Sequence, residues 1–220
     1  MINTYHLSNG DGDLKLSESF RVREFSCKDG SDIIKIDTEL VKYLQRIRNW
    51  ACVPVIISSG YRTPAHNASI GGAKSSKHCT GQAADIYTQA RFRSIQAISR
   101  YAEAIGIKGI ECNEDKNYVH IDTRTSKWFC YYRGGKYHNT STFGGHCPYA
   151  EPKRSLRRGM TGNDVRWLQF WLNLWDCGIN IDGKFGECTE LSVKHVQEMR
   201  GGLVVDGIAG EKTRAALKGY

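Results

Sequence analysis

One stretch of the chain constrains its folding more than any other. Between Tyr131 and Arg154 the sequence reads YYRGGKYHNTSTFGGHCPYAEPKR, a run of glycines, polar residues and turn formers between two regions of regular apolar patterning. A chain interrupted in this way predicts two units joined by a linker. The expected boundaries are a first domain at 1–132, a linker at 133–155 and a second domain at 156–220, with Trp128 to Tyr132 still packing on the first domain. A length of 220 residues accommodates one or two such units.

The first region mixes helical and extended patterns. Leu40, Val41, Leu44, Ile47 and Ala51 recur at helical spacing behind Asp37, a candidate N-cap. Pro54–Ser58 reads as a buried strand, Thr63-Pro64 as the start of a short helix stopped at Gly71-Gly72, and Ala83–Tyr87 as a second strand. A helix carrying Ile95, Ile98, Ala102 and Ile105 on one face ends at Gly106, and strands follow at 107–112 and 118–122. This order predicts an α+β domain. The second region carries a repeat: Asp182-Gly-Lys-Phe-Gly-Glu-Cys-Thr189 returns as Asp206-Gly-Ile-Ala-Gly-Glu-Lys-Thr213. In each copy the Asp-Gly pair makes a turn, the second glycine caps a helix, and Glu187 or Glu211 falls in the first turn, where the helix dipole favours it. With a preceding helix bearing Val165, Leu168 and Leu172, this predicts a bundle of three helices. Trp167, Trp171 and Trp175, four apart, read as a core stripe rather than a sugar platform.

Thirty-one Lys and Arg against 23 Asp and Glu give a net charge of +8, of which +7 lies before residue 156. Such a surface suits a polyanion or an anionic cell wall. No zinc-finger or arginine-rich pattern accompanies it, so nucleic acid is not an expected partner. No run of about 18 apolar residues exists, so no membrane insertion is expected. MINTYHLSNGDGDLKL lacks the basic start and apolar stretch of a signal peptide, which predicts synthesis in the cytoplasm. The eight cysteines form no CxxC pair. Most read as reduced and buried, with Cys177 and Cys188 the one local candidate for a disulfide.

The chemistry concentrates in Ser58-Ser-Gly-Tyr-Arg62, Ser76-Lys-His78, Asp85 and Val119-His120-Ile-Asp122. Two imidazoles and one carboxylate can supply three ligands to zinc and leave a fourth position open, the arrangement of catalytic rather than structural sites. His78 and Asp85 bracket a turn at Gly81. On a strand, His120 and Asp122 share one face while Val119 and Ile121 point to the core. From the residues alone, a pair of ordinary surface histidines is an equal alternative. Cys79, expected to point away from His78, reads as packing, and His66 as a loop residue. His138, His146 and His195 have no convergent partner in sequence.

Ser59-Gly-Tyr-Arg62, His66-Asn67, Gly71-Gly72-Ala73, Ser76-x-His78-x2-Gly81-x-Ala83-Ala84-Asp85 and Tyr118-Val-His120-Ile-Asp122 together resemble the zinc D-Ala-D-Ala carboxypeptidases. These belong to the LAS group of cell-wall metallopeptidases, which shares an antiparallel-sheet fold with the hedgehog signalling domain. The resemblance runs from about Phe20 to Trp128. It implies one Zn2+ held by His78, Asp85 and His120, with Arg62 as a catalytic and substrate-binding cation and Ser76 lining the pocket. It also implies Asp122 as a carboxylate orienting a ligand imidazole. The family's acidic residue three positions before the last ligand is replaced here by Asn117. Three readings follow: an acid of the loop Glu111, Glu114 and Asp115, nearest of them Asp115, takes the catalytic role; no carboxylate base is needed; or the chain binds wall without cutting it.

Leu156-Arg-Arg-Gly159, Gly162-x-Asp164-Val165-x2-Leu168-Gln169, Asp182-Gly183-x-Phe185-Gly186, Val196-Gln197 and Val205-Asp206-Gly207-x2-Gly210 resemble the three-helix peptidoglycan-binding domain. That resemblance implies a core of Leu168, Phe185, Val196 and Val205, and bacterial peptidoglycan as the partner. The expectation is a monomeric zinc D,D-carboxypeptidase or endopeptidase acting at the cell wall, of the phage endolysin kind.

Overall fold

The computed structural model describes residues 1–89 and 94–220. It opens with two antiparallel strands, β1 (Ile2–His6) and β2 (Ile33–Asp37). Helix α1 (Thr38–Ala51) follows directly, because the Asp37 carboxylate accepts the amide of Glu39 at 3.2 Å and so satisfies one of the open N–H groups of the first turn. Its apolar stripe of Leu40, Leu44, Ile47 and Trp50 is fully buried.

The main sheet contains β3 (Val55–Ser59), β4 (Ala83–Thr88), β5 (Gly109–Asn113), β6 (Tyr118–Asp122), β7 (Trp128–Arg133) and β8 (Lys136–Asn139), in the order β3-β4-β6-β5-β7-β8. Every pair is antiparallel except β5 with β7, which is parallel. Between β3 and β4 lies the short helix α2 (Pro64–Ser69), started by the Thr63 hydroxyl and Pro64; between β4 and β5 lies α3 (Ile95–Ala104). Strand alternation separates the two faces of the sheet. Ile86, Ile110, Cys112, Val119 and Ile121 are fully buried on the face covered by α3. The opposite face carries Asp85, His120 and Glu111.

The range expected to be a linker starts inside this sheet. Residues 136–139 form β8, joined to β7 through Gly134 and Gly135, both with positive φ (57° and 72°). All four residues of β8 are exposed, so no apolar alternation marks the strand. Further on, Phe143 is buried against Phe129 with ring centroids 5.4 Å apart. The Glu103 carboxylate accepts the amides of Phe143 (2.7 Å) and Gly145 (2.9 Å).

The second domain comprises α4 (Asn163–Leu174), α5 (Glu187–Arg200) and α6 (Glu211–Leu217). Gly186 and Gly210 occupy the N-cap positions of the last two, with Glu187 and Glu211 in the first turns. The sequence repeat is a structural one. Buried Gln169 donates to the Asp182 carboxylate (2.8 Å) and accepts from the Gly183 amide (2.8 Å), and buried Gln197 does the same with Asp206 (2.9 Å) and Gly207 (3.0 Å). Leu168, Phe185 and Val196 are in the core, but Val205 is 44% exposed. It sits in the irregular segment before the Asp206-Gly207 turn, and Ala209, bridged to Leu156, is buried in its stead.

The two domains share one apolar core. Trp50 stacks on Tyr101 at 4.4 Å, and Tyr101 meets the edge of Trp171 at 6.4 Å. The Trp50 indole donates to the Leu174 carbonyl (2.8 Å), and Arg46 donates twice to the carbonyl of Lys218 (3.1 and 3.0 Å). The three tryptophans of α4 and its end are therefore buried, at 3 to 5% exposure, in this shared core. No disulfide joins Cys177 to Cys188, and of the cysteines Cys27, Cys112 and Cys130 are the buried ones.

Candidate metal centre

The sheet register places a single row of side chains across the polar face. Ser59 pairs with Asp85, Asp85 with His120, His120 with Glu111, and Glu111 with Cys130. Side chains of directly opposed residues lie on the same face about 5 Å apart, so three strands bring Asp85, His120 and Glu111 side by side. His78 joins them from a 3-10 turn, Lys77–Thr80, not from a strand. Gly81 ends that turn at φ 76°, and a Cβ there would collide with the Lys35 carbonyl, so only glycine lets the chain swing from His78 into β4.

The motif Ser59-Gly-Tyr-Arg62 braces the site from below. Gly60 lies against the backbone of Phe25, Tyr61 is buried, and the Gly60 carbonyl accepts from His78 Nδ1 at 2.7 Å. The carbonyl can only accept, so Nδ1 carries the hydrogen and His78 Nε2 turns a lone pair inward. His120 is held likewise, its Nε2 donating to Asp122 Oδ2 at 3.1 Å. Asp122 in turn is gripped by Arg124 through Nε (2.8 Å to Oδ1) and Nη2 (2.6 Å to Oδ2), and the Arg124 guanidinium lies 4.4 Å over the Trp128 ring. Gly109 makes room for this, since a Cβ there would fall on the Asp122 carboxylate.

Three inward atoms result. His78 Nε2 lies 3.2 Å from Asp85 Oδ1 and 3.1 Å from His120 Nδ1, and His120 Nδ1 lies 2.9 Å from Asp85 Oδ1. A tetrahedral ion with ligand distances of ~2.0–2.1 Å sets its donors ~3.3 Å apart, so the spacing fits. These atoms form a group able to hold a metal ion. One proton can serve at most part of the cluster, whereas a divalent cation satisfies all three lone pairs. The electrostatics agree. Burial alone would raise the Asp85 carboxyl, but the two imidazoles hold it well below the carboxylate range. Burial opposes a charge on His120, yet its bonds to Asp122 and Asp85 push it up to about 9. Burial keeps His78 low despite the pull of Asp85. The cluster is thus built to hold positive charge.

A cleft of about 380 Å³ opens over these atoms. The loop 71–77, including Ser76, forms one wall, and Tyr118, Arg124, Trp128 and Tyr137 form the other. Asn67 holds the loop by donating to the Ala73 carbonyl at 3.0 Å. Arg62 lines the cleft but spends Nη2 on Asp85 Oδ2 (2.5 Å) and Nε on Ser59 (2.8 Å), so its first task is to fix a candidate ligand.

Asp115 does not reach this place. Both its oxygens are taken by the amides of Gly134 and Gly135, at 2.8 Å each, where it ties the β7–β8 turn. Proximity in sequence to Asn117 misleads, because Asn117 is itself a turn residue with φ 55° between β5 and β6. Glu111 is the acid in the cleft, 6% exposed and opposite His120. Its Oε1 accepts from Asn113 Nδ2 at 2.8 Å. The signal for it was strand alternation: Glu111 interrupts an apolar strand two residues after Gly109. Trp128, Tyr137 and Arg124 had no motif to reveal them, and His66 is outside the cleft lining.

The sequence of residues 15–122 matches the model of the family described as Peptidase M15, and 161–217 that of a putative peptidoglycan-binding domain. Residues 15–122 are a peptidase M15 domain. The M15 domain and its wall-binding companion together make this chain a cell-wall metallopeptidase by family, with peptidoglycan as its binding partner. The M15 match ends at Asp122, so β7, β8 and the cleft wall they form lie beyond it. No curated protein matches the chain. Among solved structures, a peptidoglycan-binding protein from Clostridioides difficile in complex with glutamine hydroxamate is 22% identical. That match covers 62% of this chain and 92% of the other, with a TM-score of 0.29. Among the described residues no helix is long and apolar enough to cross a membrane.

Proposed function

We propose that the chain is a zinc-dependent peptidoglycan peptidase, a D,D-carboxypeptidase or endopeptidase that hydrolyses amide bonds of stem peptides or their cross-links. The observation that carries this reading is the convergence of His78 Nε2, Asp85 Oδ1 and His120 Nδ1 in a cleft that also holds one buried acid, Glu111. The ligands are His78, Asp85 and His120; two nitrogens and an oxygen are the donor set that suits zinc. When bound there, zinc supplies Lewis-acid polarisation of an amide carbonyl and lowers the pKa of a water at the site.

Glu111 is the general base: its Oε2 takes the proton of the attacking water and returns it to the leaving amine. Asn113 orients it by holding Oε1. Arg62 fixes Asp85 and offers its remaining N–H groups to a substrate carboxylate. Ser76, at the end of the loop wall, makes no capping bond with its side chain and is placed to contact substrate. Lys77 and Arg124 add positive charge to the same cleft, which suits the carboxylates of a stem peptide. A catalyst fused to a wall-binding domain meets substrate at raised local concentration, which fits release onto the wall as an endolysin.

The test is mass analysis of the products from defined muropeptides incubated with the zinc-loaded protein. Loss of a terminal D-Ala marks the carboxypeptidase and a broken cross-link the endopeptidase. Wall binding without any product from either substrate would refute the hydrolase reading.

A further inference from the structure

A cavity larger than the metal cleft shares no residue with it. It has a volume of about 640 Å³ and lies along the exposed flank of α1, between the β1–β2 pair and the end of the second domain. That size falls within the ~300–1,000 Å³ range of small-molecule and oligomer sites. Both domains build it: Tyr5 and Tyr43 come from the first, Gly219 and Tyr220 from the second.

Its lining has three properties. The aromatic rings of Tyr5 and Tyr43 are half-buried, and Tyr220 is held in place by the Arg46 guanidinium 4.3 Å over its ring. Rings so presented offer an apolar face and a hydroxyl edge, the surface on which a pyranose ring stacks. Gln45 is held within the wall by Ser17, Ser19 and Asn49, while Asn3 keeps its Oδ1 and Asn49 one N–H beyond its bond to the Gly219 carbonyl, groups that can bond hydroxyl and acetamido groups. Finally, with Arg46 spent on the carbonyls of Lys218 and Ile105, Lys15 and Lys42 stand against the Glu39 carboxylate in the lining, a small excess of positive charge that favours anions. Lys15 and Lys42 are exposed, and Lys42 makes a surface pair with Glu39 at 3.2 Å.

We propose that this cavity is a second binding site, for an anionic amino-sugar strand such as the carboxylate-bearing glycan of the wall. The identity of the polymer rests on the wall-hydrolase reading; the class of ligand, an acidic saccharide, rests on the lining. Because the two domains share one core, a strand held here presents its peptides to the cleft in a set direction, without sharing any residue with the catalyst.

The experiment is a calorimetric or NMR titration of the full chain with soluble, peptide-free glycan strands. Tyr43→Ala is expected to weaken binding at least about tenfold. The double reversal Lys15→Glu/Lys42→Glu, confined to exposed side chains, is expected to weaken it to a similar degree and to reduce its salt dependence. Hydrolysis of a small soluble stem peptide should stay within about twofold of wild type in both. If Tyr43→Ala fails to fold, the charge reversal decides alone. Absence of glycan binding by the wild type, or binding unchanged in the variants, overturns the proposal. Glycan binding that tracks the variants while stem-peptide hydrolysis is absent from the wild type would instead overturn the hydrolase reading and leave this site standing.

Discussion

The two domains treat buried polar side chains in opposite ways. In the second domain, Gln169 and Gln197 each close a ring of bonds: amide to carboxylate, carbonyl to glycine N–H, and a further bond to a threonine hydroxyl. Every donor meets an acceptor within the ring, so nothing further is required and the network stabilises the fold. In the first domain, His78, Asp85 and His120 aim Nε2, Oδ1 and Nδ1 at one point after their outer atoms have been fixed by Gly60, Arg62 and Asp122. Protons link these atoms in pairs, whereas one metal ion would engage all three. A network closed on itself holds a structure together, whereas braced ligand atoms converging on one point mark where an ion belongs.

The largest effect should come from emptying the convergent cluster. His78→Ala is expected to abolish metal uptake, read by elemental analysis, and to bring peptide release to background while wall binding survives. Retained metal in that variant would break the contrast. Next, Glu111→Gln should lower kcat by about 10²–10⁴-fold with metal content unchanged, while Asp115→Asn, on its surface turn, stays within about twofold. A steady-state assay on one muropeptide separates the two acids. Gly109→Ala displaces Asp122 and should weaken metal affinity by about 10–100-fold through His120, measured by competition with a chelator. The smallest functional effect belongs to the satisfied network. Gln197→Ala leaves the Gly207 amide and its neighbours without partners and should cost about 2–3 kcal/mol in denaturant unfolding, with kcat unchanged in the folded fraction. A Gln197→Ala protein as stable as wild type would show the ring to be ornamental.

Much of this was legible in the residues. The helix 38–51 announced itself through its cap and stripe, and the Asp-Gly repeat foretold both glycine N-caps, though not the buried glutamines that bond to it. His120 and Asp122 followed from strand alternation. The acid of the cleft was misassigned because distance along the chain stood in for distance across a sheet: Glu111, nine residues before His120, is its direct cross-strand neighbour, while Asp115 lies in the turn beyond. Strand β8 escaped notice because its side chains are all exposed, and an edge strand of this kind is held by backbone bonds that leave no mark in the residue pattern. Val205 looked apolar enough for the core, but the turn geometry before Asp206 turns it outward.

The sequence by itself determined the local elements, because caps, turns and periodicity act over a few residues, whereas the set His78, Asp85 and His120 came from the family resemblance and not from those patterns. Tertiary structure alone decided the acid beside them, the second cleft wall, and the fusion of both domains around Trp50, Tyr101 and Trp171. Those depend on strand register and on packing between residues up to 172 positions apart, as Arg46 and Lys218 are, and no short-range pattern encodes such contacts.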